Sequence, residues 1–239
     1  MSRSSIIHKT YSSSMADLEA EKKAAALEAI KHVRNGMLLG IGTGSTVSYF
    51  MEALATKVSE GLKITGVPTS KATELKSLEL GIPITNNPTR KMDITFDGAD
   101  EADANGDLIK GGGGALLREK IIAFNSNEMY VMVDGSKLKA AGELGDFPLP
   151  VEVIPFLEDR TKLNIENLGA SCSFRSGKRF ITDNGNYILD CKFGKIEDPK
   201  LLESQVKDIP GIVEVGLFCG YANKIFEGTS VGCRVHEIK

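Results

Sequence analysis

Two acidic residues close an apolar run in DITFDGADEAD, residues 93–103: Asp97 and Asp100, with Gly98 and Ala99 leaving room beside them. Open α/β sheets place their ligands at such strand ends. Two carboxylates three positions apart can exchange protons with a substrate or hold a divalent metal. A Ca²⁺ loop of EF-hand type does not fit, because Gly at loop position six and Glu at position twelve are missing. The next candidate is IKGGGGALLREKII, 109–122, in which Lys110 precedes four glycines, 111–114, and Glu119 stands between Arg118 and Lys120. Glycines in a helix interior cost about 1 kcal/mol each, so Gly111, Gly112 and Gly113 are expected in a loop that passes close to something. Lys110 offers positive charge to a developing oxyanion and Glu119 offers a base. The plain alternative for Glu119 is a surface carboxylate paired with a neighbouring cation.

A third segment, GIGTGSTVSYF at 40–50, follows an apolar run and opens a helix. Gly42 and Gly44 permit close backbone approach. Thr43, Ser45 and Thr46 add hydroxyls to the unpaired N–H groups of the helix start, which suits an anion such as phosphate. The pattern completes neither the dinucleotide fingerprint nor a P-loop, and a capped strand–helix turn explains it equally well. Lys137, in DGSK just beyond another strand end, could meet an anionic substrate or be a solvated loop lysine, and Lys22 and Lys23 have the same two readings. There is no Gly-x-Ser-x-Gly elbow and no local Cys/His signature, which leaves acyl transfer without support.

The elements that must position these residues alternate. Apolar periodicity predicts a helix over 16–34, carried by Leu18, Ala25, Leu27, Ile30 and Val33, with Ser14 or Asp17 as cap. Strands at 37–42, 63–68, 93–98 and 129–135 alternate with helices at 45–58, 70–80 and 113–125. That order predicts an α/β, doubly wound, mostly parallel sheet of Rossmann-like type. The texture changes near Gly142. Strand 150–155, helix 158–168, strands 171–175 and 186–193, helix 198–207 and strand 212–217 follow the split β-α-β, ferredoxin-like order. The expected organisation is a disordered extension over 1–15, a Rossmann-like catalytic domain over 16–142 plus 219–239, and a smaller α+β domain over 143–218.

Composition narrows the function classes. The 239 residues carry 29 basic and 32 acidic side chains, a net charge of −3. No net positive field exists to hold a nucleic-acid backbone. No apolar run approaches the ~20 residues of a membrane span, and the polar, Ser-rich start lacks a secretory core. Cys172, Cys191, Cys219 and Cys233 show neither paired motif nor zinc spacing, and are expected as reduced thiols of a cytoplasmic protein. With His8, His32 and His236 the only histidines, no His-built metal site is expected.

In this order the blocks GIGTGSTV, DGADE, IKGGGGALLREK, DGSK, FPLPVEVIP, ITDNGNYILD and IPGIVEVGLF resemble the ribose-5-phosphate isomerase family of the A type, from about residue 18 onward. The resemblance implies an aldose–ketose isomerase of the pentose phosphate pathway. It would interconvert ribose 5-phosphate and ribulose 5-phosphate without metal or organic cofactor, as a homo-oligomer (dimer or tetramer) built through the smaller domain. Carried over residue by residue, the resemblance places substrate contacts on Thr43, Gly44, Ser45, Thr46, Asp97, Gly98, Ala99, Asp100, Lys110, Gly111, Gly112, Gly113 and Lys137. It makes Glu119 the proton acceptor and gives Asp97, Asp100 and Lys110 to ring opening and oxyanion stabilisation.

The chemistry agrees with these residue types. Moving a carbonyl between C1 and C2 needs a base reaching both carbons and a positive group at the enediolate oxygens, the division used by triosephosphate isomerase with its Glu base. The phosphate is a handle whose binding energy positions the reacting carbons. Either the 43–46 loop or the lysines could hold it. Two other classes are open at this stage. A non-catalytic phosphosugar sensor would need an appended DNA-binding helix-turn-helix, and 16–34 supplies one helix of mixed charge. A CoA transferase would need a second active half or a long CoA groove, and a Glu that forms a thioester.

Overall fold

A computed structural model describes residues 15–177 and 179–238. The extension expected over 1–15 lies outside the described residues but for Met15, which opens the first helix, and the Ser14 cap lies outside them as well. In chain order the elements are α1 (Met15–Ala29), β1 (Leu38–Ile41), α2 (Ser45–Ser59), β2 (Thr65–Pro68), α3 (Lys71–Glu79), β3 (Met92–Gly98), β4 (Glu101–Asp103), β5 (Leu108–Ile109), α4 (Leu116–Phe124), β6 (Ser126–Asp134) and β7 (Leu138–Lys139). There follow β8 (Leu149–Val153), α5 (Glu158–Glu166), β9 (Ser171–Phe174), β10 (Tyr187–Lys192), α6 (Pro199–Lys207), β11 (Ile212–Val215), β12 (Leu217–Phe218), β13 (Lys224–Thr229) and β14 (Gly232–Glu237).

The large sheet has the order β14-β13-β6-β3-β1-β2 and is parallel except for the β13–β14 hairpin. Its central strands are apolar on both faces because helices cover both, and Phe96 of β3 stacks on Phe50 of α2 at 4.4 Å between ring centroids. The chain reverses its progress at β1, with β2 on one side and β3 on the other. That reversal opens a crevice at the carboxyl ends of β1 and β3, where such sheets bind ligands. The helix α1 packs through Glu21, Ala25, Ala26 and Ala29, whereas Leu27, expected on the buried face, is largely exposed. The alanines win because α1 lies tight on β13: a Cβ on Gly228 would sit 1.8 Å from the Glu21 carbonyl oxygen.

The second sheet is antiparallel, β11-β8-β10-β9, with its own apolar cluster around Leu149, Val151, Val153, Ile165 and Val206. Its strand order by position, 4-1-3-2, is the ferredoxin-like arrangement of the β-α-β-β-α-β reading. Cys172 and Cys191 face one another directly across β9 and β10, with Cα atoms 4.1 Å apart, and are joined in a disulfide. The expectation of four reduced thiols is therefore corrected. The pairing comes from strand register, which a separation of 19 residues in sequence does not display.

A third sheet, β12-β5-β4-β7, is absent from the sequence reading because its strands are only two or three residues long. It also corrects the strand expected over 212–217, which breaks at Gly216. There the Gly216 N–H donates to the Pro150 carbonyl (2.7 Å) while its own carbonyl accepts from the Lys110 N–H (2.8 Å). The chain thus steps from the second sheet to the third beside Lys110.

Candidate active site

The loop after β1 and the loop after β3 face each other across the crevice. Gly42 passes so close to β3 that a Cβ there would meet the Asp97 carboxylate at 2.0 Å and its Cα at 2.8 Å. Gly44, at φ +136°, is the N-cap residue of α2, so no side chain caps the first N–H groups of that helix. Thr43 is locked in place twice. Its N–H donates to Asp97 Oδ1 (3.2 Å), and its hydroxyl lies 2.8 Å from those of Thr69 and Ser70 and 3.0 Å from that of Thr73. The four glycines stay outside α4, which starts at Leu116 rather than 113, so Glu119 sits in the first turn and points inward.

Asp97, Lys110 and Glu119 meet at the floor, all buried. Lys110 Nζ lies 3.0 Å from Asp97 Oδ2 and 3.3 Å from Glu119 Oε2, and donates to the Gly98 carbonyl at 2.5 Å. The Phe218 ring backs the ammonium, its centroid 5.4 Å away. Asp97 Oδ1 accepts from the N–H of Gly98 (2.8 Å), and Asp100 Oδ2 from that of Gly112 (2.7 Å). Two carboxylates share one ammonium, so the buried group carries an excess negative charge. Burial accordingly pushes the Glu119 carboxyl up to about 8; the Asp97 charge adds to the rise and Lys110 opposes it. Asp97 is raised too, burial outweighing the pull of Lys110 and its N–H donors. For Lys110 burial works against the charge, but Asp97 and Glu119 prevail and hold it above the ordinary lysine value. A carboxylate with elevated basicity beside a fixed cation is suited to taking a proton from carbon.

Above this floor lies a cleft of about 290 Å³. Its walls include Thr43, Gly44, Ser45, Thr46, Gly98, Ala99, Asp100, Lys110, Gly111, Gly112, Gly113, Glu119 and Lys137. Of Glu119 and the residues to which the resemblance gives substrate contacts, Asp97 alone does not reach the wall; it lies beneath, fully buried. Lys22 also borders the cleft, paired with Glu19 at 2.7 Å, whereas Lys23 does not.

The family model described as ribose 5-phosphate isomerase A (phosphoriboisomerase A) matches residues 65–232. The curated ribose-5-phosphate isomerase A of Picrophilus torridus is 57% identical over 92% of this chain and 99% of its own. The chain belongs to the ribose-5-phosphate isomerase A family. Among solved structures, ribose 5-phosphate isomerase A from Methanocaldococcus jannaschii is 40% identical with a TM-score of 0.86, covering 92% of this chain and 99% of its own. A D-ribose-5-phosphate isomerase solved in complex with phospho-erythronic acid is 39% identical with a TM-score of 0.88 over the same shares.

In this ribose-5-phosphate isomerase A family member several wall residues escape sequence reasoning. Leu18, Val47, Val133, Asp134 and Ser136 border the cleft, and Asp134 accepts from the Ser136 N–H and hydroxyl. The end of the 129–135 apolar run was a usable signal for Asp134. The hydroxyls of Thr69, Ser70 and Thr73 behind Thr43 carry no such signal, since Ser70 reads simply as the α3 cap that it also is. Glu101 and Asp103 of the acidic stretch turn away from the cleft. Glu101 accepts from the N–H groups of Gly145 and Phe147, and Asp103 from those of Asn105, Asp107 and Gly142.

Proposed function

We propose that this chain interconverts D-ribose 5-phosphate and D-ribulose 5-phosphate through an enediolate, with Glu119 as the base. The observation that carries the reading is the Lys110 ammonium lying within 3.3 Å of both buried carboxylates at the cleft floor. Glu119 removes the proton from C2 of the open aldose and returns it to C1. Lys110 stabilises the oxygen that gains charge, in a site dry enough to make that interaction count. Asp100, which lines the cleft, moves the hydroxyl protons, those of furanose opening included, and Asp97 beneath it acts through Lys110. The free N–H groups at the start of α2, with Lys137 and Lys22, draw the phosphate to the outer cleft. A metal-held enediolate is disfavoured by placement: Asp97 Oδ2 already faces an ammonium, where a cation would have to sit.

The test is proton NMR of ribose 5-phosphate with purified protein in D₂O. Deuterium at carbon accompanying ketose formation is expected, and Glu119→Gln should bind the sugar phosphate without turning it over. Full turnover by that variant would sink the base assignment.

We also propose the division into 16–142 plus 219–239 and 143–218, supported by the separate apolar clusters of the two larger sheets. The smaller unit would mediate a homodimer or tetramer, a reading supported by exposed Phe156 and Leu157 beside Ile154 and Leu163. Light scattering on Phe156→Ser should show dissociation if that face joins two copies. A cytoplasmic location fits an enzyme whose phosphorylated substrate does not cross membranes unaided; no described helix is long and apolar enough to cross one.

A further inference from the structure

The glycine loop is gripped from behind. Arg175, in the turn after β9, is buried and lies in the second sheet's portion of the chain, far in sequence from the cleft residues. Its guanidinium makes four hydrogen bonds. Nη1 donates to the carbonyls of Gly111 (2.6 Å) and Gly112 (3.0 Å), while Nε and Nη2 donate to the two oxygens of Asp190 on β10 (3.2 and 2.6 Å).

A trans peptide is planar and points its carbonyl and the following N–H in opposite directions. Tying back the Gly111 carbonyl therefore turns the Gly112 N–H forward, where it meets Asp100. Tying back the Gly112 carbonyl turns the Gly113 N–H toward the cleft, and among the described residues that N–H has no partner. A guanidinium on the carbonyl also polarises the peptide, which makes the N–H on its far side a better donor. The Asp190 carboxylate matches the guanidinium charge and fixes the fork bidentately.

We infer that Arg175, oriented by Asp190, is a positioning residue of the isomerase. It clamps two successive carbonyls of the glycine loop, so that the Gly113 amide is aimed at a substrate oxygen and the Gly112 amide holds Asp100. Arg175 itself touches no reacting atom. The second sheet then does more than associate with another copy: it shapes one wall of the cleft in the first.

This inference rests on the isomerase reading. A parent protein that does not isomerise ribose 5-phosphate refutes that reading, whereas an active parent with indifferent variants refutes only the positioning role. The experiment compares the parent with Arg175→Lys, Arg175→Ala and the double variant Arg175→Met with Asp190→Leu. The last replaces the ion pair by an apolar one and so avoids stranding a carboxylate. Each is checked for folding by circular dichroism and thermal unfolding. The folded double variant is expected to lose about a hundredfold in kcat, the scale on which a small misplacement acts, with KM changed far less. Arg175→Lys, which reaches one carbonyl at most, should fall between the parent and the double variant. Added guanidinium at tens of millimolar should restore part of kcat to Arg175→Ala, where Asp190 remains to hold it, and none to the double variant. A folded double variant turning over within twofold of the parent overturns the inference. So does guanidinium that raises the stability of Arg175→Ala but not its kcat, since that assigns Arg175 a bracing role only.

Discussion

Glu119→Gln should make the protein more stable at alkaline pH while removing its activity. The floor of the cleft buries two carboxylates against one ammonium, and Glu119 is raised from 4.5 to about 8, chiefly by burial. A carboxyl whose folded value lies above its unfolded one binds more protons in the folded state throughout that interval. Stability therefore falls as pH rises from about 4.5 to about 8 and levels off beyond. The slope is at most ~1.4 kcal/mol per pH unit, which puts a ceiling of ~5 kcal/mol on the whole effect. Gln removes the excess charge and leaves Lys110 and Asp97 as a matched pair, so the effect is the same whichever carboxylate carries the proton. Part of the ceiling is returned because an amide buried there lacks ideal partners, at about 1–3 kcal/mol. A net gain of about 2–4 kcal/mol at pH 8.5, crossing zero between about pH 5 and 7 and turning into a loss below that, is expected. Urea unfolding of parent and variant at half-unit steps from pH 5 to 9 measures it. A difference that stays constant across that range would refute the reasoning, because it would mean the carboxylate titrates alike folded and unfolded.

The same raised carboxyl predicts that kcat/KM of the parent declines as pH drops through about 8, since the free enzyme must hold its base unprotonated; an acid limb near 4.5 in the pH–rate profile would contradict it. Lys110→Met should lower kcat by ~10²-fold or more through loss of the oxyanion partner. It should also destabilise the protein by ~3–5 kcal/mol at alkaline pH by stranding both carboxylates, the opposite sign to Glu119→Gln in the same unfolding assay. Gly42→Ala forces a methyl against Asp97 and its backbone; a cost of ~1–3 kcal/mol in denaturant midpoint analysis, with loss of turnover, is expected. Activity should survive excess EDTA, and a loss restored by Mg²⁺ or Mn²⁺ would move the oxyanion role from Lys110 to a metal.

The sequence displayed the cleft better than its supports. Asp97, Lys110 and Glu119 were legible because each adjoins a local break: Asp97 closes an apolar run, and Lys110 and Glu119 stand on either side of the four glycines. The large sheet was legible because its strands are short apolar runs between periodic helices. What escaped depends on long-range register. Arg175 carries no local signal in the sequence, and only β9 and β10 place it against the glycine loop. Cys172 and Cys191 become neighbours only through strand pairing. Leu27 and the start of α4 were misplaced because apolar periodicity does not report how closely small residues let a helix approach, nor where a glycine run gives way to helix.

The hydrogen bond from the Lys110 N–H to the Gly216 carbonyl joins segments roughly a hundred residues apart, a non-local closure of the kind that folds late. During synthesis, a ribosome that has delivered every wall residue of the cleft has still not delivered the strand on which the lysine rests. A nascent chain halted before β12 would carry the reactive side chains without the frame that aims them, so turnover should begin abruptly, not gradually, as the last tenth of the polypeptide emerges.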